Sequence, residues 1–264
     1  MNILFIGDPH GNKKCVPVHV LRESDLIIFT GDLGNADMAR KYFFKNIERK
    51  KKGLSPIILS ARDKKRIFMQ SYTSSLEVID YLRKFAPVYT IYGNVESTNS
   101  ETREYSREIG MPLPFLADSL KKRGVSIINN KLVRAGKVRI GGLQYFTDIS
   151  WIKTFKGNKD RKITMEAKKE SKAKSKTLRA FGKIDVLVCH QPPYGILDKI
   201  YGRHLPKSWI GKHAGSKVIR EYVNKYQPEY VICGHIHEGK GAVKSGRTKI
   251  YNLGSCGYKL ILFR

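Results

Sequence analysis

The sequence predicts one mixed α/β domain in which two packed β-sheets are covered by outer helices. Three observations lead to this fold class. Short apolar runs alternate with longer amphipathic stretches, and residues 125–143 have the texture of several short strands separated by turns. The chain has 264 residues, of which 41% are hydrophobic, which is enough material for one large core. We therefore expect a single domain over residues 1–264.

Five apolar runs have the length of a strand. They are nearly continuous, which is typical of central strands covered on both faces. The runs are Ile3–Ile6, Leu26–Thr30, Val88–Tyr92, Val186–Cys189 and Tyr230–Cys233. Within 125–143 the runs Val125–Ile128, Leu132–Ala135 and Val138–Leu143 indicate antiparallel strands.

Helical spacing follows two serines. Ser75 is a candidate N-cap for a helix on which Leu76, Ile79, Leu82 and Phe85 share a face, with Pro87 just beyond its end. Ser216 precedes a second amphipathic stretch that stops at Pro228.

The chain is strongly basic. Lysine and arginine number 50, aspartate and glutamate 23, and the formal net charge is +27, which favours polyanionic partners. Two basic segments interrupt the pattern: residues 49–66, with eight basic side chains and one acidic, and residues 151–180, with eleven and three. We expect both to be insertions, either solvated or in contact with RNA or DNA. Glu170 and Lys174, at i,i+4, indicate a solvated helix in the second.

Several protein classes are disfavoured. The apolar runs are too short for a membrane span, and the first residues lack the pattern of a signal peptide. The four cysteines, at 15, 189, 233 and 256, are too few for a disulfide scaffold. We therefore expect a reduced cytoplasmic protein without a membrane partner; its oligomeric state is left open.

A polar group follows each of the five apolar runs. These groups are Asp8 and His10, then Asp32, Asn94, His190, and finally His235 and His237. Ligands bind outside the carboxyl ends of strands in open α/β sheets, so we expect these side chains to converge there. Glycines 31, 93 and 234 precede three of them and permit tight turns.

Two aspartates, an asparagine and four histidines form a ligand set for transition metals. Seven ligands exceed one tetrahedral site but fit two ions that share a carboxylate, and such a pair activates water for attack on phosphorus. Each motif alone is weak, because Gly-Asp and Gly-Asn are ordinary turn pairs. Their joint order after five strands supports the prediction.

This ordered series resembles the calcineurin-like metallophosphoesterase family, and the resemblance runs from residue 3 to about residue 257. It implies a four-layer α/β/β/α sandwich with a di-metal site at one edge. It also implies two divalent ions, with manganese favoured and iron, zinc, nickel or cobalt as alternatives. One ion would be held by Asp8, His10, Asp32 and His237, and the other by Asp32, Asn94, His190 and His235.

The family's phosphomonoesterases often carry Gly-Asn-His, where the histidine helps to protonate the leaving group. Val95 occupies that position here, and valine cannot donate a proton. The Gly-Asn-x-Glu form, with Glu96, is similar to small phosphodiesterases of the family. General-acid help typically contributes about 10²–10⁴-fold, so substrates with good leaving groups should be favoured without it.

The resulting hypothesis is a phosphodiesterase that cleaves nucleotide or nucleic-acid diesters with a metal-bridging hydroxide. Asp32, Asn94 and His190 are the expected catalytic residues. Two alternatives remain open, a phosphomonoesterase acting on proteins or small molecules and a nucleic-acid-binding factor with a vestigial site. The candidate substrate contacts are Arg203, His204, His213 and Ser255, the last from Asn252-Leu253-Gly254-Ser255, which resembles the family's Asn-Pro-Gly-Ser segment.

Overall fold

The computed structural model describes residues 1–156, 160–202 and 205–264. Within these ranges the strands are β1 Asn2–Ile6, β2 Leu26–Phe29, β3 Val88–Thr90, β4 Ser126–Ile127, β5 Lys131–Ala135, β6 Val138–Leu143, β7 Val186–Cys189, β8 Tyr230–Cys233, β9 Gly241–Ser245, β10 Thr248–Asn252 and β11 Tyr258–Leu262. The helices are α1 Val18–Arg22, α2 Asp37–Lys51, α3 Ala61–Leu82, α4 Asn99–Ile109, α5 Leu116–Lys122, α6 Ile149–Phe155, α7 Arg161–Phe181 and α8 Lys217–Tyr226. Short 3₁₀ turns lie at Lys207–Trp209 and His237–Gly239.

The strands form two mixed sheets. The first sheet has the order β11-β1-β2-β3-β4, in which β1 to β4 are parallel and β11 is antiparallel to β1. The second sheet has the order β5-β6-β7-β8-β10-β9, in which β6, β7, β8 and β10 are parallel and the two edge strands are antiparallel. All five strands predicted from apolar runs are present.

Side chains alternate between the two faces of a sheet along each buried strand, so the two faces pack in separate hydrophobic cores. On β1, Leu4 and Ile6 pack outwards against α3 and α5, while Ile3 and Phe5 face the second sheet. On β7, Val186 and Val188 meet them between the sheets. Leu187 on the opposite face of β7 packs against α7 and α8. The order of layers is therefore α/β/β/α, as the resemblance implies.

The predicted start of the helix at Ser75 is wrong. Helix α3 begins fifteen residues earlier, after Ser60, whose hydroxyl accepts a hydrogen bond from the backbone N–H of Asp63 at 3.1 Å. Ser75 is fully buried inside the helix, and its hydroxyl donates to the carbonyl of Ser71 at 2.8 Å. The predicted cap at Ser216 is confirmed, because its hydroxyl accepts from the N–H of Ile219.

The strands within 125–143 do not form one antiparallel unit. Strands β5 and β6 make an antiparallel hairpin in the second sheet, but β4 pairs in parallel with β3 at the edge of the first. Residues between β4 and β5 thus carry the chain from one sheet to the other. Local turn chemistry gives no sign of this crossing, which depends on the packing of the two sheets.

The first basic segment is half helical, and the described part of the second is mostly helical. Residues 49–66 contain the end of α2 and the start of α3, and residues 151–180 contain most of α6 and α7. Helix α7 is only partly solvated, because Ala167, Leu178 and Phe181 are buried. Lys174 is also buried and donates to Asn130, while Glu170 accepts from the backbone of Thr147. The expectation of a fully solvated Glu170–Lys174 face is therefore wrong.

The expectation that all cysteines are reduced is also wrong. Cys15 and Cys256 form a disulfide across a sequence separation of 241 residues, while Cys189 and Cys233 are buried free thiols. The spacing of the cysteines along the chain could not reveal this disulfide, because the two segments that carry them are brought together only by the pairing of β1 with β11. Among the described residues, no helix is long and apolar enough to cross a membrane.

Candidate metal centre

The polar side chains after the five central strands converge between the two sheets. Asp8, Asp32 and Asn94 follow β1, β2 and β3 of the first sheet, and His190 and His235 follow β7 and β8 of the second. Backbone bonds tie the loops together: the N–H of His10 donates to the carbonyl of Asp32 at 3.0 Å. The predicted convergence at the carboxyl ends of the strands is present.

Asp8 lies at the centre of the first group of ligands. Its carboxylate is fully buried and accepts hydrogen bonds from the hydroxyl of Thr30 at 3.0 Å and the backbone N–H of His235 at 2.6 Å. The Nε2 atom of His237 lies 3.2 Å from Asp8 Oδ2 and 3.3 Å from His10 Nε2. Two imidazole nitrogens and a carboxylate oxygen therefore point at one small volume, as the donors of a metal site do.

Asp32 lies between this group and a second one. Its Oδ2 is 3.9 Å from His10 Nε2, and its Oδ1 is 3.6 Å from His190 Nε2. His190 Nε2 also lies 3.0 Å from the side-chain oxygen of Asn94. The two oxygens of Asp32 thus face opposite groups. The ring of His235 packs at 4.8 Å from that of His190.

A hydrogen bond sets the orientation of His190. Its Nδ1 lies 2.8 Å from the carbonyl of Thr30, which can only accept, so we assign the ring proton to Nδ1. The lone pair of Nε2 then faces Asp32 and Asn94. An imidazole held in this way by a backbone carbonyl is a common arrangement around metal ligands.

Three of the candidate ligands have left-handed backbone conformations. The φ angles are 46° for His10, 48° for Asp32 and 66° for His235. Such angles cost about 1–3 kcal/mol for residues other than glycine and persist where surrounding structure enforces them, often at functional sites. The backbone angles therefore point to a functional site independently of the chemistry of the side chains.

Close packing explains two of the glycines. A Cβ atom on Gly93 would collide with the carboxylate of Asp32, and one on Gly234 would collide with the carboxylate of Asp8. The backbone therefore approaches both acids more closely than any side chain would permit.

Burial and mutual repulsion set the protonation of the site. Burial, followed by the nearby Asp8 charge, raises the pKa of Asp32 to about 8. Burial also would raise the pKa of Asp8, but His190 and the hydrogen bonds from His237 and His235 outweigh it and lower that pKa. Burial lowers the pKa of His10 to about 4 and that of His235 to about 3, so both rings are neutral near pH 7. Neutral imidazoles beside paired carboxylates suit divalent cations.

Glu96 has a structural role that the sequence did not reveal. Its buried carboxylate accepts hydrogen bonds from the backbone N–H groups of Asp32 at 2.9 Å, Leu33 at 2.6 Å and Gly93 at 2.7 Å. Burial, followed by the Asp32 charge, raises the pKa of Glu96 to about 7. It therefore braces two ligand-bearing loops. Val95 instead donates its backbone N–H to Asp32 Oδ1 at 2.9 Å.

The candidate substrate contacts have different outcomes. Arg203 and His204 lie outside the described residues. His213 pairs through Nδ1 with the buried Asp198 at 2.6 Å, a partner that holds it in the loop after β7. Ser255 is exposed, and its backbone pairs with Asp8 beside the candidate ligands.

A cavity of about 670 Å³ opens onto the same centre. Asp32, Asn94 and His235 line the cavity, and helices α2, α3 and α4 supply most of the remaining wall. Its volume lies within the range of small-molecule sites. The sequence analysis missed this cavity, because the three helices meet only in the folded chain.

The donors can be grouped by distance into two sets that could each hold an ion. Asp8, His10 and His237 form one set, and Asp8, Asp32 and His190 form the other. Carboxylate and imidazole ligands fit divalent transition metals such as manganese, iron and zinc. The residues present therefore fit a binuclear centre.

Comparison with known proteins agrees with this chemistry. A family model described as calcineurin-like phosphoesterase matches residues 1–239. Metallophosphoesterase domain-containing protein 1 of Homo sapiens is 32% identical over 77 residues, which are 28% of this chain and 21% of that protein. The UPF0046 protein K07C11.7 of Caenorhabditis elegans is 35% identical over 72 residues, 27% of this chain and 22% of that protein. The matches thus span about a fifth of these relatives.

Solved structures share the fold at low identity. The crystal structure of a dimetal phosphatase from Danio rerio superposes with a TM-score of 0.53 at 9% identity, covering 97% of this chain and 88% of that one. Another solved structure superposes with a TM-score of 0.57 at 13% identity, covering 98% and 94%. These likenesses concern the arrangement of the layers alone.

Proposed function

Since this chain belongs to the calcineurin-like phosphoesterase family, whose members are metal-dependent hydrolases of phosphoric esters, we propose that it is a phosphodiesterase acting on nucleotide or nucleic-acid diesters. The observation that carries this proposal is the placement of the buried Asp32 between two groups of buried or half-buried imidazoles, with the cavity opening beside it. Two acids and neutral rings at one point are costly to bury without cations.

In this proposal one ion is held by Asp8, His10, Asp32 and His237, and the other by Asp32, Asn94, His190 and His235. By distance alone Asp8 could also be shared, since it lies 3.9 Å from His190. That contact is to Nδ1, the nitrogen that faces the Thr30 carbonyl, whereas Asp32 faces Nε2. Asp32 is therefore the better shared ligand.

When bound, the two ions supply Lewis-acid activation of a water and of the phosphoryl group, and manganese is our first candidate. The protein orients this chemistry. Asn94 lines the cavity with an exposed side chain, whose amide can bond a phosphoryl oxygen. Thr30 holds both Asp8 and His190 in place, one through its hydroxyl and one through its carbonyl.

Preference for diesters is supported by the residues beside Asn94. Val95 lines the cavity and offers no proton for a leaving group. Glu96 cannot substitute for it, because both of its oxygens are engaged with backbone N–H groups. The excess of 27 positive charges supports an anionic nucleotide or nucleic acid by steering it to the protein.

The test compares metal-dependent hydrolysis of bis-p-nitrophenyl phosphate with that of p-nitrophenyl phosphate by the full chain. We expect manganese to support turnover and kcat/KM to be higher for the diester. A clear monoester preference would overturn the diester assignment while leaving the family chemistry intact.

Variants of the ligands test the site itself. Asp32→Asn and His190→Ala are expected to reduce turnover by about 100-fold or more. The first removes the charge and one oxygen of the shared carboxylate, and the second removes an imidazole ligand of the two metal ions. His19→Ala changes an exposed histidine on α1 and serves as the matched control. Retained turnover in both ligand variants would refute the assignment.

A further inference from the structure

The wall of the cavity beside the metal centre is unusually rich in aromatic rings. Asp32, Asn94 and His235 form a polar part of its lining, and five rings form another part. These are Phe43 and Phe44 on α2, Phe68 and Tyr72 on α3, and Tyr105 on α4. If the reacting phosphate of a substrate lies at the metal-binding residues, the rest of that substrate extends among these rings.

The rings are arranged to present flat faces. Phe68 and Tyr72 are stacked with an interplanar angle of 16° and centroids 6.2 Å apart, and Tyr105 lies 6.2 Å from Phe68 at 32°. The hydroxyl of Tyr72 shares a hydrogen bond with that of Ser119, and the hydroxyl of Tyr105 donates to the carbonyl of Lys64. The rings of Tyr72 and Tyr105 are thus held in place by their hydroxyls.

A cation lies on the same wall as the rings. Arg40 lines the cavity from α2, and Asp32 and His235 of the centre line the same cavity. Arg40 therefore stands near the candidate ligands, where it can balance the charge of a phosphate ester. The cavity thus offers in turn a metal centre, a guanidinium and a group of rings.

We propose that this cavity is a nucleoside pocket in which Phe68 and its neighbouring rings stack on the base while the phosphate lies at the metal centre. The inference rests on the proposed function and narrows it to esters of nucleosides. Stacking of a base on an aromatic side chain is sequence-tolerant and strengthens binding by about 5- to 150-fold. Any of the common bases would be accepted on this ground.

An alkyl chain fits the same cavity less well. Besides rings, the wall carries the polar groups of Ser71, Ser97 and Glu101. A base can offer hydrogen-bond donors and acceptors at its edge to such groups, whereas an alkyl chain would cover the hydroxyls of Ser71 and Ser97 without offering them a partner. Glu101 already accepts from the backbone N–H of Thr98. The wall chemistry therefore favours a base.

The experiment uses three diesters with the same p-nitrophenol leaving group and the manganese-loaded full chain. The group that does not leave is thymidine, methyl or decyl. Because the departing group is constant, differences in kcat/KM report on the pocket. We expect kcat/KM for the thymidine ester to exceed that for the methyl ester by about tenfold or more. Equal values, or a higher value for the decyl ester than for the thymidine ester, would overturn the proposal.

Two matched variants assign the effect to the pocket. Phe68→Leu keeps an apolar side chain but removes the ring, so the thymidine-to-methyl ratio of kcat/KM should fall towards one. Phe263→Leu makes the same change beyond β11, where Leu262 pairs with Asn2 at the opposite end of β1 from Asp8. The ratio should be unchanged there. An unchanged ratio in Phe68→Leu would also count against the pocket.

Calorimetry separates this inference from the proposed function. Binding of thymidine 5′-monophosphate is compared with that of 2-deoxyribose 5-phosphate, which has the phosphate and sugar but no base. We expect about tenfold tighter binding of the nucleotide to the wild type and a smaller difference in Phe68→Leu. Equal affinities would reject the pocket even if turnover is seen. Tighter nucleotide binding without any turnover would reject the phosphodiesterase and keep the pocket.

Discussion

Replacement of Glu96 by glutamine tests whether the brace between two ligand loops supports metal binding. The carboxylate Oε2 accepts from Asp32 at 2.9 Å and Gly93 at 2.7 Å, and Oε1 accepts from Leu33 at 2.6 Å. Glutamine has one accepting oxygen in place of two. If that oxygen takes the Oε2 position, the NH₂ group of the glutamine faces the N–H of Leu33, and two donors then oppose each other.

The expected cost follows from that geometry. One buried backbone N–H left without an acceptor costs about 1–3 kcal/mol, and Leu33 is fully buried. Glu96→Gln should therefore lower the free energy of unfolding by about that amount. The same bonds hold Asp32 at a φ of 48°, so its carboxylate should lose its fixed position as well. Loss of a supporting hydrogen-bond partner typically weakens metal affinity by about 10–100-fold.

The assay combines urea unfolding of the metal-free protein with calorimetric titration of Mn²⁺. Glu104→Gln, an exposed glutamate on α4, makes the identical chemical change away from the site and is the control. If Glu96→Gln unfolds at the same urea concentration as Glu104→Gln and binds Mn²⁺ with wild-type affinity, Glu96 does not brace the centre.

Three further predictions concern other parts of the chain. Gly93→Ala should greatly weaken Mn²⁺ binding in calorimetry, because the added Cβ would collide with Asp32. Gly241→Ala should leave Mn²⁺ binding unchanged, because its added Cβ would lie 3.5 Å from the nearest atom, in the side chain of Leu197. Cys15→Ser should lower stability in urea by about 2–4 kcal/mol, and peptide mapping of unreduced protein should recover Cys15 linked to Cys256; a free thiol at Cys15 would contradict this. If the two basic segments contact RNA or DNA, binding should fall steeply with salt in filter-binding titrations, and glutamate replacements at Lys50 and Lys51 should flatten that dependence; an unaltered slope would exclude the first segment.

The candidate centre could be predicted from sequence because its chemistry is local to strand ends. An apolar run fixes where a strand stops, and parallel strands stop at a shared edge, so Asp8, Asp32 and Asn94 had to meet. The helix after Ser216 was equally predictable, since its cap and its stop at Pro228 are adjacent to it in sequence.

Features that depend on contacts between distant segments were not predictable in this way. Ser75 has the sequence of a cap, yet it is buried in α3 because the preceding residues continue the helix. Strand β4 lies beside β5 in sequence but joins the other sheet. Cys15 and Cys256 are brought together by pairing of the chain ends. In each case tertiary packing overrides the local pattern.

The centre also depends on the core between the sheets. Asp8 and Asp32 come from the first sheet and His190 from the second, so the ligand distances are set by how the sheets pack. The Thr30 carbonyl bond to His190 crosses that boundary directly. Beneath it, Phe5 and Ile28 pack against Val188, all fully buried. Because packed interiors deform little, this core keeps the two halves of the ligand set at a fixed separation. The cavity, in contrast, lies between helices, and one of them, α2, has no buried residue. The rigid part of the fold thus positions the candidate ligands, and in the proposed function the helices around the cavity, with Phe68 on α3, supply the contacts to the substrate.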